Sequence, residues 1–147
     1  MARPIDLSSE TIHATCVAIG DVAVLIEGPS GAGKSDLALR LIDRGARLVS
    51  DDYTMLVRRG GQLIARPPAN LVGKMEVRGI GIVTMENVSD VPVAMLVAIV
   101  PAPPRMPTEG RLRRIAGVAL REVVLPALEP SAPIKVELAL RQRQEQQ

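Results

Sequence analysis

The sequence predicts a mixed α/β fold: a mixed β-sheet into which one P-loop and its helix are set. Three observations carry this. Gly28-Pro29-Ser30-Gly31-Ala32-Gly33-Lys34-Ser35 fits the spacing G-x-x-x-x-G-K-[ST] of a loop whose backbone amides cradle phosphate. The apolar run 22–26 precedes it as a buried strand, and residues 36–44 follow as a helix with Leu37, Ala38, Leu41 and Ile42 on one face. Predicted strands also outnumber predicted helices, which a strictly alternating β-α chain does not allow.

The chain has 147 residues, 47% hydrophobic and 23% charged, as expected of a soluble globular protein with a sizeable core. No repeat or linker divides it, so residues 1–147 are expected to form a single domain. Trp and Phe are absent and Tyr53 is the only tyrosine. The core must then be aliphatic, and binding of single-stranded nucleic acid by base stacking is disfavoured. A net charge of +2 is too small to imply nucleic acid or an anionic membrane. Cys16 is the sole cysteine, so no internal disulfide forms and it is expected as a small buried hydrophobe. Residues 1–4 lead into no signal core, and the apolar run 91–100 is about half the length of a membrane helix. The expected location is cytoplasmic, with no membrane partner.

In order, residues 11–19 are expected as a strand carrying His13, turning at Gly20-Asp21 into the strand 22–26. The loop and helix follow, and Gly45 ends the helix. Residues 47–50 form a short strand delivering Asp51-Asp52. Residues 53–57 and 62–65 form a second hairpin about Gly60-Gly61. A loop, 66–70, leads to a glycine-rich charged stretch, 73–81, with a short strand at 80–83. Residues 93–100 are the central strand. Four prolines make 101–110 irregular, and 113–125 reads as one or two strands near an edge. Ser131 caps a last helix with Pro133 in its first turn; Val136, Leu138 and Ala139 are expected to pack inward. Residues 141–147 are expected as a frayed tail.

Phosphoryl transfer needs phosphate cradling, a metal, a base, and cations that spread charge. Lys34 suits the β/γ-phosphates and the Ser35 hydroxyl suits Mg²⁺. Of Asp51 and Asp52, one can serve as base and the other can hold the metal or its waters; on a continuing strand they would face opposite sides. Glu76 and Arg78 flank Val77 and share a face if extended, where they suit a metal and a phosphate, or a surface ion pair. Gly79 and Gly81 permit close backbone approach. A strand histidine such as His13 is usually structural, and an arginine in a proline-rich loop such as Arg105 is usually solvated.

Together, His13, Gly28 to Ser35, Leu48-Val49-Ser50-Asp51-Asp52 and Glu76-Val77-Arg78-Gly79-Ile80-Gly81 resemble the catalytic domain of bacterial HPr kinase/phosphorylase, in the short form found in alphaproteobacteria that lacks the N-terminal domain. The resemblance implies a mixed fold akin to the nucleotide-binding part of phosphoenolpyruvate carboxykinases. It implies phosphorylation of a seryl group of HPr, the phosphocarrier of the sugar phosphotransferase system, with ATP and Mg²⁺. It also implies reversal, in which inorganic phosphate attacks phosphoserine and pyrophosphate leaves. By residue, Lys34 matches the loop lysine, Ser35 and Glu76 match metal ligands, and Asp52 matches the base, with Asp51 beside it. His13, Arg78 and Arg105 match catalytic positions, and the family's members form hexamers. A late family segment, P-V-R-P-G-R, here reads Leu125-Pro126-Ala127-Leu128-Glu129-Pro130-Ser131. Its arginines are missing, which favours kinase over phosphorylase activity.

Two other readings compete. A small-molecule kinase would use Arg111, Arg113 and Arg114 as a lid but leaves Asp51-Asp52 and the Glu76–Arg78 segment unexplained. A non-catalytic ATP sensor would need Lys34 and Ser35 but not the acid and base groups.

Overall fold

The computed structural model describes residues 8–106 and 111–145. The signal-core reading of residues 1–4, the last part of the proline loop and the end of the tail lie outside the described residues. In chain order the strands are β1 (Ser9–Ile12), β2 (Thr15–Ile19), β3 (Val22–Glu27), β4 (Arg47–Ser50), β5 (Thr54–Arg59), β6 (Gln62–Arg66), β7 (Lys74–Val77), β8 (Gly81–Thr84), β9 (Val91–Ile99), β10 (Leu112–Ile115) and β11 (Val118–Leu125). The helices are α1 (Lys34–Asp43) and α2 (Ala132–Glu145), with a 3-10 turn at Ala69–Leu71. Among the described residues no helix is long and apolar enough to cross a membrane.

The apolar run of β9 forms the centre, as expected of a strand covered on both faces. It lies parallel to β3 along one edge and parallel to β11 along the other, while Val91 and Pro92 pair antiparallel with β6. The sheet therefore forks at β9. One branch runs through β6 and β5 to β1, the other ends in the β10–β11 hairpin, and β3 continues to β2 and β4. The sheet is mixed, and the β7–β8 hairpin stands apart from it.

Alternation along the strands sorts the aliphatic side chains into two cores. On one face Val24, Ile26, Met95 and Val97 pack with Leu37, Ala38 and Leu41 of α1 and Val136, Ala139 and Leu140 of α2. On the other, Leu25 and Leu96 meet Leu56, Leu63, Ile115 and Leu120, where the sheet curls over itself. Burial of each Val, Leu, Ile or Met among them contributes about 1.5–3 kcal/mol, so no large aromatic is needed. Cys16 lies in the second core, and burial pushes its thiol pKa well up.

Three expectations need correction. The predicted strand 11–19 is two strands: His13 and Ala14 form a break, with Ala14 N donating to Ile12 O at 3.0 Å. The chain changes partners there, because β1 pairs with β5 while β2 pairs with β3 and β4. The expected frayed tail is helical through Glu145, supported by Arg121, which donates to Ala139 O at 2.7 Å and Gln142 Oε1 at 3.1 Å. Leu138 faces outward; the buried stripe is Ala132, Val136, Ala139 and Leu140, the i, i+4, i+7, i+8 face.

Candidate functional site

The glycine-rich loop leaves the end of β3 and enters α1. Two of its glycines stand close against neighbouring side chains. A Cβ on Gly28 would stand 3.1 Å from the Ile99 Cβ, and one on Gly33 would stand 3.3 Å from the Ala127 Cβ and 3.4 Å from Leu128 Cδ2. Gly33 also has φ 101°, a left-handed conformation that turns the loop into the helix. Ala32 N donates to Pro29 O at 3.0 Å and closes the turn. Lys34 is buried, and its Nζ donates to Gly28 O at 2.8 Å and Pro29 O at 3.3 Å.

The strand carrying Asp51-Asp52 ends at Ser50, so the two carboxylates are not held to opposite faces by a pleat. Asp52 takes φ 71°, which aspartate tolerates better than most residues. Asp51 is buried beneath the loop. Its Oδ1 accepts from Ser35 Oγ at 2.7 Å and Thr15 Oγ1 at 3.1 Å, and its Oδ2 from Glu76 N at 3.1 Å. Asp52 instead points outward, with Oδ1 2.8 Å from His13 Nε2, which donates to it. Thr15 Oγ1 also accepts from Asp52 N at 3.2 Å, joining the two halves of the corner.

These groups surround an open cleft of about 900 Å³, lined by His13, Asp52, the loop and first turn of α1, the segment from Met75 to Gly81, and Leu128. Of the predicted site residues, His13, Ser30, Gly31, Gly33, Lys34, Ser35, Asp52, Glu76 and Arg78 line the cleft. Gly28, Pro29, Ala32 and Asp51 form its support. Arg105 lies in the exposed loop after β9, away from the lining. Arg78 falls in the turn between β7 and β8. It forms no ion pair with Glu76, and among the described residues Lys34, Glu76 and Arg78 have no ion-pair partner. All three line the cleft, where they can meet a charged ligand.

Among the described residues no three His, Cys, Asp or Glu side chains gather as a metal cage. The Ser35 hydroxyl, bonded to Asp51 Oδ1, and the Glu76 carboxylate are the oxygen groups at the cleft that could hold a divalent cation.

Two contributors, Thr15 and Arg40, had no sequence signal, and a third, Leu128, lies in the segment 125–131 that the family resemblance marked. Thr15 comes from β2 and is placed by pairing, not by a motif. Arg40 reaches from α1 to the carbonyls of Ala127 and, at 2.9 Å, Glu129, fixing the segment that carries Leu128. Leu128 is 80% exposed at the cleft mouth. The arginines that a small-molecule kinase would use as a lid are engaged elsewhere: Arg113 grips Glu27 at 2.6 and 2.8 Å, Arg111 pairs with Glu122, and Arg114 donates to Gly117 O. The Glu27 bonds hold the Arg113 pKa above its ordinary value.

The family profile of the HPr Serine kinase C-terminal domain matches residues 6–92. HPr kinase/phosphorylase of Clostridium beijerinckii is 49% identical over 78 residues, 52% of this chain and 26% of that protein. The Clostridium tetani protein of the same name is 43% identical over 82 residues, 55% of this chain and 27% of that one. The chain thus spans about a quarter of the length of these curated relatives. A solved structure described as the Hpr(Ser) kinase/phosphatase from Coxiella burnetii superposes with a TM-score of 0.81 at 30% identity, covering 93% of this chain and 97% of that one. The chain belongs to the HPr Serine kinase C-terminal domain family.

Proposed function

We propose that this chain, as a member of that family, transfers the γ-phosphoryl group of ATP to a seryl hydroxyl of HPr. The same site would run the reverse phosphorolysis, in which inorganic phosphate attacks phosphoseryl-HPr and pyrophosphate is released. The names of its relatives support the substrate. The observation that carries the chemistry is the division of two adjacent carboxylates at one cleft, Asp51 on Ser35 and Asp52 on His13.

Gly28 to Ser35 is read as the phosphate-binding loop, in a domain akin to the nucleotide-binding part of phosphoenolpyruvate carboxykinases. Ser35, backed by Asp51, and Glu76 across the cleft would hold Mg²⁺, which when bound neutralises phosphate charge. Lys34 exchanges its two carbonyl bonds for charge-assisted bonds to phosphate oxygens. Arg78 adds a second cation, and Arg105, from its exposed loop, is the third that the family resemblance implies. Asp52 takes the seryl proton as the bond from serine oxygen to the γ-phosphorus forms and the bond from that phosphorus to ADP breaks. In reverse, Asp52 returns the proton to the seryl oxygen as phosphate attacks. His13, donating to Oδ1, leaves Oδ2 of Asp52 for the substrate proton. A cytoplasmic setting and assembly into a hexamer belong to the same reading.

The test is transfer of label from γ-labelled ATP, with Mg²⁺, to HPr from the same organism. Label on a seryl group is expected, with a fall of about 10²–10⁴-fold in Asp52→Asn. ATP binding without transfer would leave a sensor and overturn the kinase. For the reverse direction, phosphate added to phosphoseryl-HPr is expected to yield pyrophosphate; none would confine the chain to the kinase reaction.

A further inference from the structure

We propose that Tyr53 is a positioning residue for the reaction: its ring, stacked on His13, holds the imidazole with Nε2 directed at Asp52. This rests on the function proposed above, because the imidazole matters only if Asp52 does.

The rings of Tyr53 and His13 lie with centroids 4.9 Å apart and planes 24° from parallel, within the range of an offset stack. Tyr53 is the only tyrosine and His13 the only histidine in the chain, which has no Phe or Trp, so no other aromatic ring can take this place. The stack is not a core contact, since Tyr53 is 45% exposed. Something beyond the hydrogen bond is needed to orient His13. The His13 and Asp52 side chains are 40% and 59% exposed, and a bond between two such groups competes with water. Tilting the imidazole plane away from Asp52 would break its stacking on Tyr53, so the ring contact fixes the plane in which the hydrogen bond from Nε2 to Asp52 Oδ1 is made.

The backbone beneath Tyr53 is well tied. Its N donates to Asp51 O at 2.8 Å, and its O accepts from Ser50 Oγ. Next in sequence, Thr54 Oγ1 donates to Ala14 O at 2.8 Å, joining this corner to the break that carries His13. The tyrosine hydroxyl forms no hydrogen bond among the described residues; the ring alone makes the contact. Phenylalanine should therefore replace tyrosine, and leucine should not.

The experiment uses the full, tag-free chain, in which His13 gives the only histidine ring signals in a proton spectrum. In Tyr53→Leu the His13 ring protons should lose the shielding of the neighbouring ring and move downfield by about 0.3 ppm or more, and in Tyr53→Phe they should stay near their wild-type position. In the transfer assay Tyr53→Leu should lower kcat by about 5–10-fold with KM for ATP within about twofold, and Tyr53→Phe should restore it. Unmoved His13 signals in Tyr53→Leu, or a kcat that Phe does not rescue, would overturn the proposal. If wild-type chain moves no phosphoryl group, the proposed function falls with this inference, whereas wild-type transfer with an unaltered kcat in Tyr53→Leu defeats the inference alone.

Discussion

Asp51 is 5% exposed and accepts three hydrogen bonds; the side chain of Asp52, one residue later, is 59% exposed and meets one histidine. The first belongs to the floor of the cleft, where Thr15, Ser35 and the Glu76 amide converge from a strand, a helix and a hairpin. The second belongs to the rim, with His13 and Tyr53. The two regions differ in what holds them. The floor is cross-linked by buried and part-buried bonds and carries stability as well as chemistry, whereas rim contacts are solvated and weak. The sharpest way to break this contrast is Asp51→Ala. It leaves the buried Thr15 hydroxyl and the part-buried Glu76 N–H without their acceptor, and a buried donor left unpaired costs about 1–3 kcal/mol. We expect a loss of about 3 kcal/mol in urea-induced unfolding. A loss below about 1 kcal/mol would mean that the floor is no more structural than the rim.

Thr15→Val is the next step down. The side chain keeps its shape but loses the oxygen that donates to Asp51 Oδ1 and accepts from Asp52 N. Because Asp51 retains Ser35 and Glu76 N, the expected cost is smaller, about 1–2 kcal/mol. The same variant should lower phosphoryl transfer, since among the described residues Thr15 is the one side chain hydrogen-bonded to both residues of the corner. Full transfer with reduced stability would show that the corner sets the position of Asp52 without it.

Much of this contrast was hidden from the sequence. The loop and α1 were legible because their glycines and Lys34-Ser35 obey a local spacing, and β9 because a continuous apolar run needs cover on both faces. The hairpin at Gly60-Gly61 was legible for the same local reason. His13 was expected inside one strand, and the break that frees it arises from a change of pairing partner between β1 and β2, which alternation within residues 11–19 cannot report. Asp51 and Asp52 were legible as a pair. Their division into floor and rim depends on the left-handed φ of Asp52 and on Thr15, supplied by another strand. The face of α2 was misjudged at Leu138 because a short stretch of apolar residues admits two neighbouring helical stripes. Arg40 and Tyr53 act through partners far from them in sequence, and no spacing rule announces either contact.

The smallest expected effect falls on the rim, and it determines how the kinase test is read. In Asp52→Asn the bond to His13 loses its charge but keeps an acceptor, and a solvated pair of this kind contributes about 0–1 kcal/mol. Asparagine also tolerates the left-handed conformation of this position as well as aspartate does. Unfolding free energy should therefore change by no more than about 0.5 kcal/mol. Urea unfolding of this variant beside Asp51→Ala measures the difference between the two regions directly. If Asp52→Asn instead costs more than about 1.5 kcal/mol, Asp52 is holding the corner together as Asp51 does. Its loss of phosphoryl transfer would then report a damaged cleft. If stability is kept while transfer collapses, the loss belongs to the carboxylate's ability to take a proton, because the amide that replaces it has the same shape and the same place.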